Sequence, residues 1–471
     1  MKKYMAGLLL LLLLGFAVSG QVSAENEPVF EDPKLEQTLK TLLQKEEQES
    51  LTAADLSQLT SIDIANKKIT SLKGLEYAVN ITFLDASRNE ITDLEPLKGL
   101  TKIKGLYLVN NKITSLDPLS GMTDLGELDI SGNQVTSLEV IKRLPRLHGL
   151  HAEHNRITDI AVLKDAVNLD VLQLNDNLIS NIQPVSRLTK LKVLGLDDNQ
   201  IKDLTPLRGL TGLGGLRLGG NQITDIRALS ALTNLVSLGA EGNQIKDITP
   251  IANMTKLGQL NLSSNLVYDL EPLRNLKQLT YLYLNHNRIW DITPIEHRKF
   301  DFHYDTGAPR YGLQLEDNYL DLKTGTRSDR IFRALNVDPY ARMNQGTYQR
   351  LVIGSTKAYV GESVYNLLSP PYLYNSRTYV PIRFTSEKLG AAVKWNQKQK
   401  QLTIQKDGKT MEWTVGNRQV GVNGNVVMFD APLMLKNGTS FVPIRFVSAQ
   451  LNTPVEYLNR NKTVVVFQER K

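Results

Sequence analysis

Leu191-x-x-Leu194-x-Leu196-x-x-Asn199-x-Ile201-x-Asp203-Leu204-x-Pro206-Leu207-x-x-Leu210 is one turn of a repeat, and reading it decides the fold. Asn89, Asn111, Asn133, Asn155, Asn177, Asn199, Asn221, Asn243, Asn265 and Asn287 stand 22 residues apart without a slip. The same phase one step earlier falls on Lys67, so eleven units fit, the first imperfectly. A fixed period of this length marks a solenoid, in which no unit buries its core alone. Leu194 and Leu196 are two apart on a short strand and so share its inward face. Asn199 comes where the strand turns. Its amide can bond backbone groups that the strand leaves free, and a stack of such amides makes a ladder. Asp203 stands where a tight 3-10 turn begins and can cap its N–H groups, while Pro206 stiffens that side. The pattern predicts an α/β solenoid over residues 59–297, with a parallel β concave face and a 3-10 convex side.

Upstream of the repeats, Asp32-Pro33 reads as an N-cap followed by proline at the first helical position, with Leu35, Leu39, Leu42 and Leu43 at helical spacing behind it. Thr52 and Asp55 form a second capping signal. Two short helices over residues 25–58 are therefore expected to cover the first repeat. Residues 1–24 carry Lys2 and Lys3, an apolar run from about Met5 to Val18 and the small-residue end Val22-Ser23-Ala24, a secretory signal with cleavage after Ala24. The chain has no cysteine, which excludes disulfides, thiol nucleophiles and Cys–metal sites. No second stretch is apolar enough to span a membrane.

Downstream, the next match is Leu313-x-Leu315-x-x-Asn318-x-Leu320, a step of 318 − 287 = 31 residues. The extra nine are read as an insertion between His297 and Pro309, ahead of a closing repeat over Leu313–Leu322. A helix from Ser328 to about Leu335 then seals the core, giving an irregular cap over residues 298–349. From residue 350 to 471 the pattern changes to two copies at a spacing of 62. Tyr379-Val-Pro-Ile-Arg-Phe384 returns as Phe441-Val-Pro-Ile-Arg-Phe446. Pro381 is read as helix position one, and Gly390 and Asn452 as the residues just past each helix. Gln401–Ile404 and Thr463–Val466 read as strands. Each copy is thus strands, one helix, then a hairpin, an α+β domain of two related repeats. The paired arginines, Arg383 and Arg445, are read as structural.

Residues 350–471 hold 17 Lys+Arg against 7 Asp+Glu, a net +10, so the remainder of this +6 chain carries −4. Lys394, Lys398, Lys400, Lys406 and Lys409 lie in and around one hairpin and could face an anionic cell-wall polymer. His148, His151 and His154 share one strand segment, with the outer two about 20 Å apart at ~3.3 Å per residue, too far for one metal. The glycines between Gly209 and Gly220 match no phosphate loop, and no nucleophile elbow, zinc-protease motif or nucleic-acid motif is present. Function is therefore placed on outward positions of the strands. These are Phe83, Tyr107, Asp129, His151, Glu153, Gln173, Asp197, Arg217, Glu241, Asn261, Tyr281 and Tyr283. Aromatic residues at both ends could anchor a protein partner, and the acidic middle could admit basic side chains. Whether that middle takes a cation is left open.

The cap and the 22-residue repeats, roughly residues 29–340, resemble the internalin-type leucine-rich-repeat proteins secreted by Gram-positive bacteria. The resemblance implies a horseshoe that binds other proteins through its concave face. No sorting motif of the L-P-x-T-G type is found near the C-terminus. Residues 350–467 resemble the copper amine oxidase N-terminal-like domain, through Tyr379-Val-Pro-Ile-Arg-Phe384, Leu389-Gly390 and their second copy. In amine oxidases that domain is an accessory stalk, and with no histidine here it implies no copper. The expectation is a secreted or cell-surface, non-enzymatic binding protein with no cofactor, no nucleic-acid partner and no membrane span after signal cleavage. A structural envelope protein with the horseshoe as spacer, and a carbohydrate-active enzyme using concave carboxylates, are the alternatives.

Overall fold

A computed structural model describes residues 28–305, 308–335, 337, 342 and 344–468. The secretory signal over residues 1–24 lies outside the described residues. The chain divides inside the repeats into two units, Met1–Ile201 with Thr205–Leu213 and Lys202–Leu204 with Gly214–Lys471.

In the first unit, α1 (Pro33–Leu42) starts where the sequence places it: Asp32 caps it by accepting from Lys34 N at 2.8 Å, with Pro33 at the first position. The other carboxylate oxygen accepts from Thr70 N and Thr70 Oγ1, at 2.6 and 2.9 Å, which fastens the cap to the first repeat. α2 (Ala53–Leu56) opens on a reciprocal capping box between Thr52 and Asp55. Three-residue parallel strands follow, from β1 (Ser61–Asp63) to β7 (Val193–Gly195), in register Ile62↔Leu84 through Leu172↔Leu194. Each central aliphatic residue is buried, as are the residues two further on, such as Leu196. The ladder forms as expected. Asn199 Nδ2 donates to Leu174 O of the preceding repeat at 3.0 Å, and its Oδ1 accepts from Ile179 N at 2.9 Å. The repeats return through 3-10 turns whose first N–H is met by a short polar side chain two residues before it, Asp93 Oδ1 for Glu95 N at 2.9 Å, Ser115 Oγ for Asp117 N at 3.2 Å and Asn181 Oδ1 for Gln183 N at 2.9 Å. The residue just before each ladder asparagine takes a left-handed conformation, at φ 57° in Arg88, 51° in His154 and 51° in Asp198. Nine of the eleven residues at this position are Gly, Asp, Asn or His, the types that enter the left-handed region most readily, so the bend is marked by a class of residues and not by one type.

In the second unit the strands continue as β8 (Gly215–Arg217), β9 (Ser237–Gly239), β10 (Gln259–Asn261) and β11 (Tyr281–Tyr283). The insertion leaves the solenoid as the hairpin β12 (Phe302–Asp305) and β13 (Ala308–Tyr311). β14 (Leu313–Gln314) then resumes the parallel sheet beside β11, with Leu282 opposite Leu313. Asn318 takes up the ladder across the long step, accepting from Ile289 N at 3.0 Å and donating to Leu284 O at 2.9 Å. Twelve parallel strands with 3-10 returns make this a leucine-rich-repeat solenoid, followed by an antiparallel α+β domain. No helix among the described residues is long and apolar enough to cross a membrane.

The sealing helix α3 (Arg327–Ala334) begins one residue earlier than expected, capped by Thr326. Asp329 is buried on it and held by Arg342 Nη2 at 2.6 Å and Arg333 Nε at 3.0 Å. These hydrogen bonds, Arg342's first, push its pKa down to about 2 from the ordinary 3.8. Because the folded value is depressed, the stability it supplies is present above the ordinary value and is lost as pH falls through about 2. Asp329→Asn is expected to lower the thermal midpoint at neutral pH and to flatten the acid loss between about pH 4 and pH 2. Melts across that window check this, and an unchanged acid slope contradicts it.

In the tail domain the first copy runs β15 (Thr347–Val352), β16 (Lys357–Val360), β17 (Ser363–Asn366), β18 (Tyr372–Tyr374), β19 (Arg377–Pro381), α4 (Ile382–Glu387), β20 (Ala392–Asn396) and β21 (Gln401–Lys406). The second repeats it as β22 (Lys409–Thr414), β23 (Gln419–Val422), β24 (Asn425–Met428), β25 (Met434–Lys436), β26 (Thr439–Pro443), α5 (Ile444–Gln450), β27 (Val455–Leu458) and β28 (Thr463–Gln468). The copies are not separate bodies. One five-stranded sheet is β17-β16-β15-β28-β27 and the other is β20-β21-β22-β23-β24, so each combines the first three strands of one copy with the last two of the other. Between them β19 pairs antiparallel with β26, with Val380 opposite its own equivalent Val442, which marks the local twofold axis. Pro381 ends β19 and caps α4 instead of opening it, a correction of one residue. Gly390 and Asn452 do sit past the helices with φ of 81° and 48°.

The boundary drawn at 349/350 falls inside β15. That strand belongs to a hydrophobic seam with the last repeats. Trp290 packs on Tyr348 at 5.3 Å between ring centroids, and Tyr319 on Phe467 at 4.7 Å. Glu362 of the tail accepts from Arg327 N and Ser328 N, at 2.6 and 2.8 Å, at the start of α3. Glu456, 3 % exposed, reaches back to Arg288 at 3.0 Å and to Lys246. The tail domain therefore closes the solenoid end chemically, with both apolar cover and helix capping.

Candidate protein-binding face

The face is built by strand alternation: when the central residue of a strand is buried, its two neighbours must point away from the core. In the first unit this sets Phe83 beside Tyr107, with ring centroids 5.3 Å apart. The pair leans over Gly105, where a Cβ would come within 3.3 Å of the Phe83 ring. Phe83 is 38 % exposed, a large apolar ring left in solvent. Burial, then Glu127, Asp129 and Asp85, raise the Tyr107 hydroxyl pKa, so this end is aromatic with an acidic border. Glu127 lies across Gly149, where a Cβ would meet its carboxylate at 1.8 Å, and pairs with His148 at 3.1 Å. The glycines of the face are thus floors for side chains from the neighbouring repeat.

Further along the unit the candidates are tied into a polar network. Glu153 accepts from Ser131 Oγ at 2.9 Å and Asn175 Nδ2 at 3.2 Å. Gln173 also receives Asn175, at 3.3 Å, and leans over Gly195. Asp197 departs from its expected place: it is buried, and its N–H donates to Asn175 Oδ1 at 2.9 Å. Asp129 and His151 are half-buried and border this network. His154 pairs with Asp176 and His148 with Glu127, so the three histidines do not converge. Among the described residues no group of three His, Asp or Glu side chains could hold a metal ion.

In the second unit Arg217 is exposed, and Glu241 lies against Gly219. Asn261 Oδ1 accepts from Ser263 N at 3.1 Å. Tyr281 and Tyr283 are half-buried. Burial, then the Asp301 charge, and a hydrogen bond to Asp301 raise the pKa of Tyr281. In the tail domain Lys394, Lys398 and Lys400 are exposed. Lys406 and Lys409 are engaged inside the domain. Their Nζ atoms donate to Leu451 O at 3.0 Å and Gln450 O at 3.1 Å, where they satisfy the carbonyl end of α5. The basic hairpin therefore offers three free lysines where the sequence suggested five.

The family profile described as "Leucine Rich repeats (2 copies)" matches residues 79–121, 101–143, 167–209, 215–253 and 255–297. An internalin (inlF) of Listeria monocytogenes is 27 % identical over 67 % of this chain and 93 % of its own length, with a TM-score of 0.60. The chain belongs to the internalin-type leucine-rich-repeat proteins. An internalin C2 from the same organism is 33 % identical over 46 % of this chain and 99 % of its own, with a TM-score of 0.45. This internalin-type chain continues into a copper amine oxidase N-terminal domain, matched at residues 343–396 and 359–466. Neither an internalin-type repeat nor that accessory domain is a catalytic module.

Proposed function

We propose that this chain is a secreted or cell-surface, non-enzymatic binding protein. Its repeat face recognises a protein partner, and its basic tail domain associates with the cell envelope. The observation that carries the first half is the Phe83–Tyr107 pair. It is an exposed aromatic surface positioned over a glycine, bordered by Asp85, Glu127 and Asp129, which suits an apolar anchor flanked by basic side chains on a partner. The net +10 of residues 350–471, with Lys394, Lys398 and Lys400 exposed, supports the second half.

Phe83→Ala in the full chain is expected to weaken capture of solubilised cell-surface proteins roughly thirtyfold, the size of a 2 kcal/mol anchor. Gln200→Ala, exposed on a repeat flank, leaves capture unchanged. Quantitative mass spectrometry of the retained proteins reads both. If Phe83→Ala and Asp129→Lys both leave capture intact, the partner-binding reading fails and the repeats are better read as a spacer. Wall retention is measured on the full chain, because β15 and its seam with the repeats would be cut in a 350–471 fragment. Retention should fall steeply with salt.

A further inference from the structure

We infer that the tail domain carries a binding site for an acidic sugar, in the cleft formed by the β18–β19 turn and the start of α5. This cleft, about 370 Å³, is lined by Asn375, Ser376, Arg377, Thr378, Asp430, Pro443, Ile444 and Arg445. It is distinct from the lysine hairpin, and it takes the envelope-association reading as its setting.

The internal repeat supplies the control. Each residue of the cleft has an equivalent 62 positions away that experiences the same backbone, so what the fold needs should recur and what it does not need is free to differ. Asn375, Pro443, Ile444 and Arg445 recur as Asn437, Pro381, Ile382 and Arg383. Thr378 keeps a hydroxyl as Ser440, but the rest of the chemistry does not recur. Arg377 corresponds to Thr439, Asp430 to Leu368, and Ser376 to Gly438. Leu368 is 92 % exposed, so the frame folds without a carboxylate there. Ser376 stands at φ 58°, where the second copy uses glycine at φ 71°. Its hydroxyl is thus kept in a left-handed conformation that disfavours an ordinary residue.

A fourth difference redirects the second guanidinium. Arg383 pairs with Glu387 one turn along its own helix, at 3.7 Å. The equivalent of Glu387 is Ala449, so Arg445 has no such partner on α5 and turns toward Asp430, at 3.6 Å. Arg377 Nε meets the same carboxylate oxygen at 3.0 Å. Two guanidiniums and one carboxylate leave a net positive charge, and Arg445 is 83 % exposed in its side chain, with that long contact its one ion pair among the described residues. The cleft also presents an acceptor in Asp430, hydroxyls in Ser376 and Thr378, and an apolar wall of Pro443 and Ile444. Beside it the half-exposed Tyr374 ring stands edge-on to Tyr379, 6.3 Å away. Paired donors and acceptors suit vicinal hydroxyls, an exposed ring suits the C–H face of a pyranose, and a spare guanidinium suits a phosphate or carboxylate on that sugar.

Saturation-transfer NMR on the full chain tests this, with glucose 6-phosphate, glucuronic acid and neutral glucose as probes. At least one acidic sugar should receive saturation about tenfold more strongly than glucose, and the preferred one identifies phosphate or carboxylate as the recognised group. Arg445→Gln and Arg377→Gln should abolish the transfer, whereas Arg383→Gln, the same residue in the other copy, should leave it intact. Unchanged thermal melts for the two exposed helix arginines keep the comparison clean. Equal signals for glucose and both acids, or equal loss in Arg383→Gln, overturn the site. If wall retention fails while the acidic sugar binds, only the envelope reading falls. If retention holds while neither acid binds, only this site falls.

Discussion

Glu456→Ala is expected to destabilise the second unit by about 2–3 kcal/mol, the cost of removing a buried carboxylate that accepts charged hydrogen bonds. Glu456 is 3 % exposed and comes from the tail domain, while Lys246 and Arg288 come from two different repeats. Its loss deprives the partly buried Arg288, 25 % exposed in its side chain, of this partner, while Lys246 at 47 % keeps its contact with water, and Trp290 and Phe467 pack in the same seam. Arg460 offers a comparison, since it pairs with Asp269 at 2.8 Å across the same seam but is 41 % exposed in its side chain. Arg460→Ala should cost no more than about 1 kcal/mol, as exposed pairs do. Glu456→Gln, which keeps the shape and loses the charge, should fall between the two. Calorimetric melts of the full chain measure all three. Equal losses for Glu456→Ala and Arg460→Ala would show that burial of this carboxylate contributes nothing special.

The second large effect belongs to the ladder. Asn199→Leu removes the acceptor for Ile179 N and the donor for Leu174 O, both in the preceding repeat and both buried. Each stranded backbone group costs about 1–3 kcal/mol, so urea melts should show a loss on the order of 3 kcal/mol or more. The choice of control matters. Asp198 is adjacent and exposed, but its φ of 51° means that alanine there would add backbone strain of its own. Gln200→Ala is the sound comparison and should stay within roughly 0.5 kcal/mol. Equal losses at 199 and 200 would mean that the asparagine amide does not carry the repeat.

The sites of these effects differ in how readable they were. Asn199 was legible because its bonds run to groups a fixed number of residues away, so the demand recurs every 22 positions and selection of one residue type becomes visible as a period. The same holds for Asn318, whose role survived a break in the period because its neighbours Leu313, Leu315 and Leu320 kept their spacing. Phe83 and Tyr107 were placed on one face by alternation alone. That Glu127 lies across Gly149 is decided by the tertiary structure, since which way a surface carboxylate leans depends on the neighbouring strand.

By itself, the sequence determined everything that repeats: the solenoid, its strand phase, its asparagine ladder, the capping residues Asp32 and Thr52, and the presence of two related copies in the tail. Repetition made these legible, because a local physical requirement met many times leaves a pattern in one chain. Only the tertiary structure decided the exchange of strands between the tail copies, since antiparallel partners may come from either copy with the same local sequence. Only it decided that Lys406 and Lys409 close a helix, that Asp197 is buried, and that Glu456 joins the tail to Lys246 and Arg288. Those are single contacts between segments far apart in the chain. Each is made once, so no spacing encodes it, and its energy comes from burial that only the assembled fold creates.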